Sequence, residues 1–108
     1  MRIIAGKLGG RMLHEQHGHK THPMSEKIRG ALFNVLGDIK GLTFLDAYGG
    51  SGAIAIEAIS RGAANAVAVE KEHSAHYVID KNVADLNLRK QIQVVHGGAG
   101  GWSIHNME

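Results

Sequence analysis

Leu42-Thr-Phe-Leu-Asp-Ala-Tyr-Gly-Gly-Ser-Gly52, followed by Ala53-Ile-Ala-Ile-Glu-Ala-Ile-Ser-Arg-Gly62, reads as a short apolar strand, a glycine turn and a helix. Such a unit cradles nucleotide-like ligands. Glycines admit φ values closed to other residues, and they let the N–H groups at a helix N-terminus approach a ligand closely. Asp46 qualifies this reading, because a carboxylate four residues before Gly50 would repel a pyrophosphate laid against the turn. It suits a cationic amino acid moiety instead, and S-adenosylmethionine carries one, with a zwitterionic methionine tail beside a sulfonium. Asp46, Tyr48, Gly50, Ser51 and Gly52 form the first part of a candidate cofactor site.

A second landmark follows. Ala64-Asn-Ala-Val-Ala-Val69 reads as a buried strand ending at Glu70, 20 residues beyond Gly50. At that spacing an acidic residue tips the second strand and accepts hydrogen bonds from a ribose diol. Gly50-Ser-Gly52-Ala-Ile-Ala55 also satisfies a looser dinucleotide pattern, so NAD competes with S-adenosylmethionine, and a plain strand–helix turn without ligand is the third reading.

With 108 residues there is room for one small domain, and 44% apolar with 20% charged residues is the balance of an ordinary globular chain. No apolar run approaches the ~20 residues that span a bilayer, and the N-terminus lacks the apolar core of a secretory signal. Zero cysteines exclude disulfides and thiolate zinc sites and fit a reducing cytoplasm. The net charge of +2 is unevenly placed. Residues 1–41 carry +4, through Arg2, Lys7, Arg11, Lys20, Lys27, Arg29 and Lys40 against three acids, whereas residues 42–108 carry −2. A basic arm beside a neutral-to-acidic half suggests a polyanion such as nucleic acid; a merely solvated charged face is the alternative.

Arg2–Ala5 and Arg11–Leu13 bracket a glycine-rich turn and read as a hairpin. Ser25 after Pro23 is a candidate N-cap for a helix whose apolar positions, Ile28, Ala31, Leu32, Val35 and Leu36, recur at helical spacing up to Gly37. Ala75, Val78, Ile79, Val83 and Leu86 mark a further helix, and Gln91–Val95 a third strand. The expected fold is α/β, a partial Rossmann-like domain holding the first three parallel strands of a doubly wound sheet, with an N-terminal hairpin and helix. Residues 1–41 read as a basic extension, and residues 42–108 as half of the ligand-binding domain with a glycine-rich tail containing Trp102. The expected core includes Leu45, Ile54, Ala58, Val67, Val69, Val78, Ile79 and Val94. His14, His17, His19 and His22 lack metal-ligand spacing and read as solvated loop residues; no metal site is expected. Unpaired strand edges of half a sheet would make the chain prone to association.

Met1-Arg-Ile-Ile-Ala-Gly-Lys7, Gly10-Arg11, His22-Pro23, Glu26-Lys-Ile-Arg-Gly-Ala-Leu-Phe-Asn-Val-Leu36, Leu45–Gly52, Glu57–Ala63 and Val69-Glu-Lys71 together resemble the RsmD-type family of bacterial small-subunit ribosomal RNA guanine-N2 methyltransferases. The resemblance runs from Met1 to about Gly97. It implies S-adenosylmethionine as methyl donor, small-subunit ribosomal RNA or the assembling small subunit as partner, and a cytoplasmic setting. It places Asp46, Gly50 and Gly52 around the methionyl group, Glu70 at the ribose hydroxyls, and Arg2, Lys7, Arg11, Lys20, Lys27 and Arg29 in the RNA-contacting extension. Three departures stand out. His22 replaces the family's arginine before Pro23, and Gly98 stands where an acidic residue meets the adenine amine. The Asp/Asn-Pro-Pro-Tyr/Phe motif that aligns the target amine is missing, since Pro23 is the one proline. The catalytic residues are therefore unknown, and the expectation is that these 108 residues alone transfer methyl groups poorly or not at all, as a truncated remnant with weak cofactor or RNA binding would.

Overall fold

A computed structural model describes residues 1–15, 26–47 and 52–97. Its regular elements are α1 Glu26–Leu36, β1 Thr43–Asp46, α2 Ala53–Ser60, β2 Asn65–Glu70, α3 His73–Asp85 and β3 Ile92–His96. The strands form one parallel sheet in the order β1-β2-β3, with Leu45 opposite Val67 and Val69 opposite Val95. This is the βαβαβ arrangement that the sequence pattern predicts. The expected hairpin is present as a single antiparallel bridge, Arg2 to Met12. It is supported by Ile3 N–H to the Arg11 carbonyl at 2.9 Å and Leu13 N–H to the Met1 carbonyl at 2.8 Å.

The helix α2 is apolar nearly all round, and a helix of that kind belongs inside. Seven of its eight residues are buried, all but Ile54. It stops where Gly62 takes φ +114° and the N–H of Ala63 turns back to the Ala58 carbonyl at 3.0 Å. Along α3 the predicted apolar positions Ala75, Val78, Ile79 and Val83 are buried and Leu86 is half-buried. Ile3, Leu13 and Phe33 join Ile56, Ile59 and Ile79 in one core, so hairpin and α1 pack with the sheet and its helices.

Two expectations about the core need correcting. Leu45 is 51% exposed, because β1 is an edge strand and alternation turns Leu45 away from the face that Phe44 shares with Ala66 and Ala68. On α1 most of the predicted stripe faces outward: Ile28, Ala31, Val35 and Leu36 are exposed, Leu32 is half-buried against the core, and the fully covered residues are Arg29 and Phe33. Arg29 was a candidate for nucleic-acid contact and cannot serve as one, since none of its surface is accessible.

Polar chemistry explains this choice of face. The carboxylate of Glu57, on α2 and wholly buried, accepts the N–H groups of Ile4 at 2.9 Å and Ala5 at 3.0 Å. It also pairs with Arg61 Nε at 2.8 Å and Arg29 Nε at 3.4 Å, while Arg29 Nη2 donates to the carbonyl of Arg2. A buried carboxylate is tolerated only when paired and hydrogen-bonded, so Glu57 dictates that α1 turn its arginine inward. One turn along α2, Ser60 Oγ accepts the Leu8 N–H at 2.9 Å and donates to the Ala5 carbonyl at 2.6 Å. On α3, Asn82 holds both backbone groups of His14, at 2.7 and 3.0 Å. Among the described residues the buried polar side chains are Arg29, Glu57, Ser60 and Asn82, and every one bonds to the first fourteen residues.

Replacing Glu57 with alanine leaves Arg29 buried without its counter-charge, and truncating one member of such a pair costs about 3–5 kcal/mol. Urea denaturation of Glu57→Ala is expected to show a loss of that order or an unfolded chain; an unchanged midpoint would refute this account of the buried pair. Gly6 and Gly10 both hold positive φ, at +83° and +88°. A Cβ on Gly6 would lie 1.9 Å from the Ser60 carbonyl oxygen, whereas one on Gly10 meets nothing within 4 Å. Gly10→Ala is therefore expected to cost only the left-handed backbone penalty of about 1–2 kcal/mol, and Gly6→Ala clearly more, in paired thermal melts.

Candidate functional site

Asp46 closes β1 and Glu70 closes β2, so both lie at the carboxyl end of the parallel sheet, where open α/β sheets bind ligands. Asp46 pairs with Ala68, two residues before Glu70, and residues two apart on a strand share a face. The two half-buried carboxylates therefore stand on one face of adjacent strands. Strand spacing and rise put their Cα atoms roughly 8 Å apart, a separation that a nucleoside-sized ligand can bridge.

Gly52 opens α2 at φ +84°, ψ 6°, with no side chain capping the helix. A Cβ there would sit 3.2 Å from Ile79 Cγ2, so glycine serves the backbone turn and the close contact with α3 together. Tyr48, Gly50 and Ser51 lie outside the described residues. Glu70 has a local duty as well: its Oε2 accepts the Glu72 N–H at 2.9 Å and its carbonyl accepts the Gly97 N–H at 3.0 Å, which ties the start of α3 to the end of β3.

Three histidines missed in the sequence gather at this same end. His96, paired with Glu70 across the strands, lies with its ring centroid 5.4 Å from His73 and 5.0 Å from His76, and its Nε2 is 3.0 Å from the Lys71 carbonyl. The signal available was positional: His73 and His76 lie three apart on one helix, and His96 ends a strand. The sequence pattern singles out the loop histidines instead. Of those, His14 is not merely solvated, since its Nε2 is 2.6 Å from Asp85 Oδ2; His17, His19 and His22 lie outside the described residues, as does Gly98. Among the described residues no group of histidines and carboxylates is arranged to hold a metal.

The turn of the hairpin lies at the other end of α2. Lys7 donates its N–H to the Ser60 carbonyl at 2.9 Å, which caps the C-terminus of α2, whereas Gly52 and the carboxylates lie beyond its N-terminus. The eight residues of α2 separate the two ends by about 12 Å. Lys7, Arg11 and Lys27 are exposed, Arg2 is exposed with Nη2 3.2 Å from Glu26, and Lys20 lies outside the described residues. Arg61, not among the candidates, is largely covered, with its guanidinium carbon 4.9 Å from the centre of the Phe33 ring. Arg89, on the outer surface, is held more firmly protonated by its hydrogen bond to Asp80 and then by that carboxylate's charge. It has no part in the site. No helix of the described residues is long and apolar enough to cross a membrane.

The chain has known relatives. The model of the family described as Conserved hypothetical protein 95 matches residues 1–103. Ribosomal RNA small subunit methyltransferase D of Escherichia coli strain K12 is 37% identical over 87 residues, covering 80% of this chain and 44% of its own length. The protein of the same name from Buchnera aphidicola of Acyrthosiphon pisum is 38% identical over 87 residues, with 80% and 46% covered. The solved structure of the Escherichia coli protein yhhF superposes with a TM-score of 0.84 at 33% identity, over 94% of this chain and 55% of that one. The chain thus spans about half the length of the curated relatives it matches. On fold, motifs and similarity it belongs to the Conserved hypothetical protein 95 family, the RsmD-type family of ribosomal RNA methyltransferases that its motifs resemble.

Proposed function

We propose that this chain forms the cofactor-binding half of an S-adenosylmethionine-dependent methyltransferase that modifies the N2 amine of a guanine in small-subunit ribosomal RNA. The observation that carries the reading is the pair Asp46 and Glu70 on one face at the carboxyl ends of neighbouring strands, beside the glycine-opened N-terminus of α2. The donor set fits the cofactor. Asp46 offers a carboxylate to the ammonium of the methionyl group, and Glu70 offers acceptors to the ribose hydroxyls. When bound, S-adenosylmethionine supplies an electrophilic methyl group on a sulfonium. This chain's own residues hold and orient that donor, and their negative charge favours a cation. A pyrophosphate would meet Asp46 unfavourably, which counts against NAD.

Methyl transfer is an in-line displacement whose rate depends on placing the nucleophile. The group expected to place the guanine amine, the Asp/Asn-Pro-Pro-Tyr/Phe motif, does not occur in these 108 residues, where Pro23 is the one proline. The reading therefore assigns donor binding to this chain and expects little turnover from it alone. RNA contact falls to the hairpin, where Lys7 and Arg11 project from a backbone clamped to α2, with Arg2 and Lys27 on the same N-terminal segment. Because hairpin and carboxylates sit at opposite ends of α2, those contacts orient a folded RNA and take no part in the chemistry. A ribosomal RNA substrate places the protein in the cytoplasm.

Isothermal titration with S-adenosylhomocysteine and, separately, NADH tests the cofactor. Binding of S-adenosylhomocysteine is expected to fall about tenfold or more in Asp46→Ala and in Glu70→Ala, the loss for a hydrogen bond to a charged group. Tighter binding of NADH overturns the reading. For the RNA, Lys7→Glu with Arg11→Glu is expected to weaken binding to small-subunit ribosomal RNA and to reduce the salt slope by roughly one per lost phosphate contact. Unchanged affinity removes the hairpin from the interface.

A further inference from the structure

We infer that His96 is a positioning residue for Glu70. Its ring holds the peptide unit between Lys71 and Glu72, and that unit in turn holds the Glu70 carboxylate where a ribose would meet it. The ribose rests on the function proposed above, whereas the coupling of His96 to Glu70 rests on hydrogen bonds alone.

The strand β2 leaves the sheet at Glu70, which pairs with His96, the last residue of β3. The rung after that pair is the Gly97 N–H on the Glu70 carbonyl at 3.0 Å. One residue further on, the Lys71 carbonyl lies 3.0 Å from His96 Nε2. A carbonyl only accepts, so Nε2 carries the proton, and the ring serves as one more rung beyond the paired strands. The N–H of that same peptide unit, contributed by Glu72, donates to Glu70 Oε2 at 2.9 Å. The unit is planar and trans, so its carbonyl and its N–H point in opposite directions and turn together. Fixing the carbonyl on His96 therefore fixes the donor that the Glu70 carboxylate follows.

The ring is itself held from two sides. His73, the first residue of α3, meets it edge-on, with centroids 5.4 Å apart and planes at 65°, and His76 tilts against it at 5.0 Å and 51°. Aromatic rings favour edge-to-face and tilted pairs at about these separations. The two supports are three residues apart on the helix and so share one of its faces. Together they restrict the turning of the His96 side chain and keep its Nε2 on the Lys71 carbonyl. The consequence for binding is one of population. A half-buried carboxylate at a strand end has several staggered arrangements open to it. Affinity falls in proportion to the time it spends outside the one that binds. His96 acts on that fraction without touching the ligand.

The test separates the donor from the ring. His96→Phe keeps a ring against His73 and His76 but has no donor, and His96→Gln keeps an N–H donor without the ring. Calorimetry measures the affinity of each for S-adenosylhomocysteine and for its 2′,3′-dideoxy analogue. S-adenosylhomocysteine is expected to bind His96→Phe about three- to tenfold less tightly than the parent chain, as for one lost hydrogen bond, with most of the loss recovered in His96→Gln. The dideoxy analogue is expected to bind all three alike. Combined with Glu70→Ala, His96→Phe is expected to change either affinity by less than about twofold, because both substitutions remove the same interaction. Without any ligand, the Glu72 amide proton resonance is expected to move upfield in His96→Phe, as in Glu70→Ala, and to return in His96→Gln. Nitrogen NMR at alkaline pH is expected to find the His96 ring in its Nε2–H form. An unchanged affinity in His96→Phe, a further loss on top of Glu70→Ala, an unmoved Glu72 resonance or an Nδ1–H ring overturns the inference. If the parent chain fails to bind S-adenosylhomocysteine while the Glu72 resonance still follows His96, the coupling stands and the cofactor reading falls.

Discussion

The carboxylate of Glu57 is the constraint around which the described structure is arranged. It is fully enclosed, and enclosure of an ion requires donors on every side. Those donors come from three segments: the main chain of Ile4 and Ala5, Arg29 of α1 and Arg61 after α2. Meeting this requirement fixes the rotation of α1, seats the hairpin and orients a guanidinium against Phe33. Apolar contacts alone would tolerate several helix rotations with similar area buried. A carboxylate with directional partners does not.

This gives α2 two duties at opposite ends. Its N-terminus meets the glycine turn and the strand-end carboxylates, and its C-terminal half holds the basic hairpin through Glu57 and Ser60. The hairpin of the basic extension is clamped in place by hydrogen bonds from α2 and α3, reaching as far as Asn82. Its exposed cations therefore have defined positions relative to the sheet. A polyanion held there would be positioned relative to the carboxyl end without touching it.

The exposed side of β1 and α1 makes sense in the same frame. The helices α2 and α3 cover the face carrying Ala66 and Ala68, and both alanines are fully buried. On the β1 side, apolar side chains that the sequence pattern assigns to a core stay in solvent. The pattern is right about their character, and the described chain supplies nothing to cover them.

By itself the sequence determined the local elements. Short apolar runs and helical spacing gave β1, β2, β3, α2 and α3 in order, because strand and helix geometry act within a few residues. It also placed Asp46 and Glu70 at strand ends, where covalent spacing alone sets position. It could not decide which face of α1 turns inward, since Ile28, Leu32 and Val35 obey helical spacing as well as Arg29 and Phe33 do. Nor could it bring His96 to His73 and His76, or His14 to Asn82. Only the tertiary structure decided these. Glu57 meets Arg29 across 28 residues and Ile4 across 53, and the cost of burying a charge is settled by partners at that distance, which no local pattern records.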